Sequence, residues 1–446
     1  MKTRQRTLLL NLAAVLTAGV FLPQTSRAVD YTWVPTTGGT WDTTTANWND
    51  GVTNPTAWVN GTGNAAKFDA FSAGATVVLG TNIVTGSLAS NGGSTIVFNG
   101  AGTLDVANIN TATAGSLDMS AKITGSHGLT INSSATVANN AGRLNLKVAA
   151  DYTGDTFLTG TAYLLLDGVS NALPTGTTLN MVSGTTFRFA KAGLTQQIAG
   201  LQGAGTIQST SPSTGNVLTI VTKSGVTTAY SGTISSTAGL SLVISGSGTQ
   251  TLSGGNLIFN GSTTVSSGTL LLGGNLRDTS SVSVTGGNLR SSANVNLGQG
   301  AVTMSAGTID ARGTGVAGSF TLAANQNFTT TGGSIKIDLD TTALLDQIIG
   351  SGTGTFSLTN TALDLNLITW SASDYNNSYT IFSGFSNGSL TNVSITGYDT
   401  ANYIASLSNG GVLSFAAVPE PSMVALLGLS GVALALYRIR RRSRSV

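Results

Sequence analysis

Apolar and polar residues alternate along this chain in short runs that glycine interrupts. Val282-Ser-Val284-Thr-Gly-Gly287-Asn-Leu289 recurs twenty residues later as Val302-Thr-Met304-Ser-Ala-Gly307-Thr-Ile309. Thr263-Thr-Val265-Ser-Ser-Gly268-Thr-Leu270 precedes the first of these by nineteen. Each unit predicts a short strand with alternate side chains inward, a glycine turn and a second strand. A turn of the form Gly-[Thr/Ser/Asn]-[Leu/Ile/Phe] recurs along the chain from Gly86 to Gly388. There, glycine accepts a positive φ, the small polar residue faces out and the aliphatic residue points inward. A step of about 20 residues stacks such units into a solenoid, with strands about 4.8 Å apart. A chain of immunoglobulin-like sandwiches would instead recur near every 100 residues.

The segment Gly248-Thr-Gln-Thr-Leu-Ser-Gly-Gly-Asn256-Leu-Ile-Phe-Asn-Gly261-Ser-Thr-Thr-Val265-Ser-Ser-Gly268-Thr-Leu-Leu-Leu272 resembles the autotransporter-associated β-strand repeat, with Phe259 where that family has Tyr. A weaker copy runs from Tyr152 to Leu166. The resemblance implies an all-β chain folded as one right-handed parallel β-helix. The expected organisation is a Trp-rich N-terminal cap over 29–69, repeats over 70–367 and a C-terminal cap over 368–417. A signal helix and a transmembrane helix are expected to flank this body.

The two ends read as addresses. Lys2, Arg4 and Arg6 precede an apolar stretch from Leu8 to Leu22, and Ser26-Arg27-Ala28 is a small-x-small site. This pattern predicts a signal peptide over 1–28, exported through the Sec translocon and cut by signal peptidase between Ala28 and Val29. At the other end, Val418-Pro419-Glu420-Pro421-Ser422 stands before an apolar run over 423–437 and a basic tail over 438–446. Arg438, Arg440, Arg441, Arg442 and Arg444 orient that run with its end in the cytoplasm and can extend its reach by snorkelling. Glu420 is the only glutamate of the 446 residues. Pro419 and Pro421 keep it in extended, unpaired backbone that suits a protease.

This three-part tail resembles the PEP-CTERM sorting signal. The resemblance implies recognition of Pro419-Glu420-Pro421 by an exosortase, a membrane-embedded transpeptidase of exopolysaccharide-producing Gram-negative bacteria. It further implies a transient stay in the inner membrane, then the cell surface or extracellular matrix. The translocator barrel usual in autotransporters has no counterpart here, and the polybasic end is not a barrel strand.

Composition narrows the chemistry. Charged residues make up 9% of the chain, against about 25% in an average soluble domain. The 58 glycines accompany a hydrophobic fraction of 40%, enough for a core. Between Val29 and Ala417, eleven basic residues face 17 aspartates, a net charge of −6. Nucleic acid is therefore not an expected partner. The absence of cysteine removes disulfides, thiolate metal sites and cysteine nucleophiles. No cofactor, metal or catalytic residue is assigned.

Four of the five tryptophans, Trp33, Trp41, Trp48 and Trp58, lie within 26 residues. They are expected to close the N-terminal end, with a platform for sugar rings as the alternative. His127, the sole histidine, is expected in an exposed turn. Asp338 and Asp340 share one strand face beside Lys336, which reads as a solvated outer face. Gly313-Thr-Gly315-Val-Ala-Gly318 fits Gly-x-Gly-x-x-Gly, but no helical pattern follows it. The expected function is that of a non-catalytic surface or matrix protein, adhesive or structural, contacting exopolysaccharide or cell-surface glycans. The alternative on the same scaffold is a polysaccharide lyase or glycoside hydrolase acting on acidic glycans.

Overall fold

The computed structural model describes residues 28–418, apart from 73, 112–114, 136–141, 210–214, 238, 312–315 and 341–344, together with 432, 436, 437 and 440. The chain is an all-β parallel solenoid. Three long parallel sheets of 19, 10 and 9 strands run along it, and a sheet of 4 strands continues the line of the second.

The segment 248–272 makes one complete coil. Strand Thr249–Leu252 lies in the first sheet, Leu257–Phe259 in the second and Ser262–Val265 in the third, before Thr269–Leu272 returns to the first. Thr249 pairs with Thr269, Thr269 with Asn288 and Asn288 with Thr308, steps of twenty, nineteen and twenty residues. Thr308 then pairs with Ser334, Ser334 with Ala362 and Ala362 with Ser394, with longer connections at the corners. The regular period therefore belongs to the middle of the rod.

Alternation drives these strands. In most strands of the coils every second residue is buried, and the buried ones stack into columns along the axis. In the third sheet Ile220, Ile244, Val265, Val284 and Met304 are successive partners, all at most 1% exposed. Each buried aliphatic side chain contributes about 1.5–3 kcal/mol of transfer free energy. The core is one continuous cluster from Tyr31 to Leu413.

The glycine corners work in two ways. Gly268, Gly307 and Gly333 adopt φ of +65°, +83° and +89°, where side chains are strained. At Gly86, Gly102 and Gly232 the backbone is ordinary. There a Cβ would lie 2.0 and 2.1 Å from the carbonyl oxygens of Thr81 and Gly205 on the neighbouring coil for Gly102 and Gly232, and 2.2 Å from that of Thr62 for Gly86, which sits within strand Ile83–Ser90. At these positions close stacking, and not positive φ, demands glycine.

Two buried amides repair gaps in the ladder. The strands Gly200–Gly203 and Thr227–Tyr230 pair only at Gly203 and Tyr230. The Gln250 side chain stands in for the missing partner: Leu201 N donates to its Oε1 (3.1 Å) and its Nε2 donates to Leu201 O (3.0 Å). Gln196 does the same for Leu173, at 3.1 and 3.0 Å. A side-chain amide offers the same donor and acceptor as a peptide unit, so it satisfies groups that would be costly to bury alone.

The ends differ from the coils. Near the start, Asp30–Trp33 and Ala46–Asn49 pair antiparallel, and Ala46–Asn49 pairs antiparallel with Thr56–Ala57. Near the end, a 3-10 turn at Ala372–Asn376 leads to an antiparallel sheet of Ser378–Thr380, Val412–Ala417 and Tyr403–Leu407. The predicted signal helix and most of the predicted membrane helix lie outside the described residues. Among the described residues no helix is long and apolar enough to cross a membrane.

Candidate functional site

The residues beside the two expected processing junctions are hydrogen-bonded to the solenoid. Val29 N donates to Asn64 Oδ1 (3.1 Å), and Val29 O accepts from Ala65 N (3.0 Å). Asn64 is itself buried and donates to Val59 O (2.8 Å). Ala28 is exposed. Val29, the residue expected to follow the signal cut, is thus tied to the folded body by two hydrogen bonds. At the far end Val418 N donates to Asn402 O (2.8 Å), one residue before the sorting motif. Pro419, Glu420 and Pro421 lie outside the described residues, as do Arg438, Arg441, Arg442 and Arg444. Val432, Leu436, Tyr437 and Arg440 are helical and exposed.

The four N-terminal tryptophans are interior. Trp33, Trp41, Trp48 and Trp58 are 4%, 0%, 0% and 1% exposed. They pack with Tyr31, Phe68 and Phe98 in edge and tilted contacts: Trp33 and Trp48 meet at 4.9 Å and 84°, Trp41 and Trp58 at 5.1 Å and 80°. Such edge-to-face pairs add about 0.5–1.5 kcal/mol each beyond burial. Trp58 Nε1 donates to Asn60 Oδ1 (3.0 Å). No indole face is open, so the sugar-platform alternative for these residues is corrected: their rings fill the first coils.

His127 is half-buried and not a free turn residue, which corrects the sequence expectation. Its Nε2 meets Asp105 Oδ1 at 2.6 Å, and its Nδ1 meets Gly128 O at 2.9 Å. Both ring nitrogens are engaged, which leaves neither for a nucleophile.

The Asp338 region also departs from expectation. Asp338 and Lys336 do share the outer face of strand Ser334–Asp340, yet Asp338 is only 4% exposed. Its Oδ2 accepts from Val316 N (3.0 Å) and its Oδ1 from Asn366 Nδ2 (2.7 Å). Loop backbone covers that part of the strand, so the solvated-face reading fails for Asp338. Asp340 is partly exposed and accepts from Thr369 Oγ1 (3.0 Å).

Asp346, which no sequence pattern singled out, is 1% exposed. Its oxygens accept from Gly318 N (2.7 Å) and Asp338 N (3.0 Å). Burial pushes its carboxyl up to about 7, helped by the charges of Asp338 and Asp310 and opposed by those two N–H donors. A raised carboxyl suits a general acid, but this one is spent on holding the backbone and has no open face. The glycine match at 313–318 runs into strand Ser319–Thr321, and its last N–H serves Asp346.

Outside this cluster the first sheet carries charges of alternating sign. Arg290, Asp310, Lys336 and Asp364 are successive partners, with Arg290 Nε 3.2 Å from Asp310 Oδ2. Opposite charges at strand spacing neutralise one another. Among the described residues no group of three or more His, Cys, Asp or Glu is placed to hold a metal ion.

Residues 417–442 match the family model described as the PEP-CTERM protein-sorting motif. No curated protein shows significant similarity to the chain.

Proposed function

We propose that this chain is an exported, non-catalytic, right-handed β-helix of the cell surface or extracellular matrix. It is delivered by a signal peptide, held briefly by the 423–437 helix, and cut at Pro419-Glu420-Pro421 by an exosortase-type transpeptidase. A PEP-CTERM motif implies export and sorting of this kind in Gram-negative bacteria, and the match over 417–442 is the observation that carries the reading. The solenoid supports it: its last backbone contact before the motif is at Val418, so the motif follows the folded body without a long spacer. The repeats over 70–367, read as autotransporter-associated repeats, form the scaffold. Thr, Ser and Asn on their outer faces make weak, repeated contacts to exopolysaccharide or cell-surface glycans, which gain strength in number. The role is adhesive or structural.

In a host with an exosortase, Glu420→Ala or deletion of 419–446 is expected to abolish C-terminal processing and change the location of the protein. Intact mass and cell fractionation read both effects. An unchanged mature mass in the variant would remove the sorting role.

A further inference from the structure

Of the three long sheets, the third alone has no charge in its strands. Its nine strands, from Thr195–Ile198 to Asn387–Thr391, contain no Asp, Glu, Lys or Arg. The nearest charged residues, Lys223 and Asp278, sit at corners beside it. Ion pairs such as Lys67–Asp30, Lys147–Asp118 and Arg290–Asp310 belong to the first two sheets and their corners.

On this sheet's outer face, Thr264, Ser283, Thr303, Thr329, Ser357 and Ser389 are successive partners in register. They form an unbroken column of six hydroxyls, spaced about 4.8 Å apart and so about 24 Å long. All six are half-exposed or exposed. Only the Thr303 hydroxyl has a protein partner among the described residues, a long contact of 3.5 Å to Val282 O. The rest keep their donor and acceptor capacity for something outside the chain.

We infer that this column is a binding strip for one extended, uncharged polysaccharide chain lying along the solenoid axis. The inference rests on the surface-protein reading above and specifies its ligand. A protein partner would be anchored by aromatic or Arg side chains, and the column offers none. An anionic polymer would need cations, which the sheet lacks, and would meet a body of net charge −6. A neutral polymer with repeating hydroxyls matches the strip in chemistry, hydroxyl to hydroxyl along its length. Each contact is weak, and the row sums them.

The test uses the full-length chain purified in detergent and its retention on microcrystalline cellulose and on cross-linked dextran, with polygalacturonate as the anionic control. Wild type is expected to be held by an uncharged polymer and not by polygalacturonate. The double variant Ser283→Lys/Thr329→Lys should weaken retention by about tenfold or more. Thr249→Lys/Thr269→Lys, on the outer face of the first sheet, should leave it unchanged. The triple variant Thr264→Val/Thr303→Val/Thr329→Val removes hydroxyls without adding charge and should also weaken retention, with thermal melts verifying the fold of each. Retention that the third-sheet variants do not alter, or retention by neither uncharged polymer, overturns the strip. So does a result in which the lysines only turn a dimer into a monomer, since a second copy would then be the occupant. Depolymerisation of a bound glycan would instead defeat the non-catalytic reading and leave the strip standing.

Discussion

The two ends of the solenoid are closed in different ways. At the N-terminal end, four indoles and their aromatic neighbours fill the first coils from within, and Trp41 and Trp48 have no exposed surface. At the C-terminal end, three antiparallel strands carry a looser set of rings. Trp370, Tyr398, Tyr403 and Phe415 are only partly buried there. Tyr375 and Tyr403 stack at 3.8 Å, and Tyr375 meets Phe415 edge-on at 5.0 Å. Both ends prevent a raw sheet edge from recruiting another chain. The first does so by volume. The second also continues, beyond Val418, into the sorting motif, and the last two residues of its final strand, Ala416 and Ala417, are exposed.

That contrast can be broken most sharply at Trp48. Trp48→Ala empties a fully buried site with five aromatic neighbours and is expected to cost about 3–5 kcal/mol. Phe415→Ala should cost about 1–2 kcal/mol, because its ring is partly exposed and truncation there removes less buried surface. Chemical denaturation of both variants measures the difference. Equal losses would mean that the C-terminal cap is as tightly built as the N-terminal one.

The stretch between the caps has its own weak link. Gln250→Leu keeps the bulk but leaves the N–H and C=O of Leu201 buried without partners, for an expected loss of about 2–4 kcal/mol. A Leu variant as stable as wild type would show that the amide is not needed to bridge those coils.

A pH dependence is expected near the C-terminal end. An ordinary carboxyl has a value of 3.8, and burial raises Asp346 to about 7. The folded chain therefore holds this proton more tightly than the unfolded chain. Its contribution is most favourable below about 4, declines as pH rises, and the cost is complete above about 7. Asp346→Asn does not titrate, so its melting temperature relative to wild type should rise between pH 5 and pH 8. Parallel curves across that range would show that Asp346 is ionised throughout.

Much of this was legible in the chain. Alternation at Val282–Leu289 and Val302–Ile309 gave strands, inward faces and a step, because side chains of a strand point alternately to its two sides. The regular period was readable only where corners are short. Beyond Thr308 longer connections hide it, although the stacking continues to Ser394. The glycines at the corners were legible as a requirement, but the reason at Gly102 or Gly232 was not, since it lies in the carbonyl of the next coil.

The candidate sites divide the same way. The sorting tail is a linear signal, so Pro419-Glu420-Pro421 with its apolar and basic followers was complete in sequence. The fates of Trp33, Asp338, His127 and Gln250 were not, because each depends on atoms about a coil or more away. Burial of an aspartate under a loop, or of an amide in a ladder gap, has no local pattern. Composition already said that charge is scarce. Only the stacking decided that one of the three long sheets has none, since register alone brings Thr264, Ser283 and Thr303 into a single row.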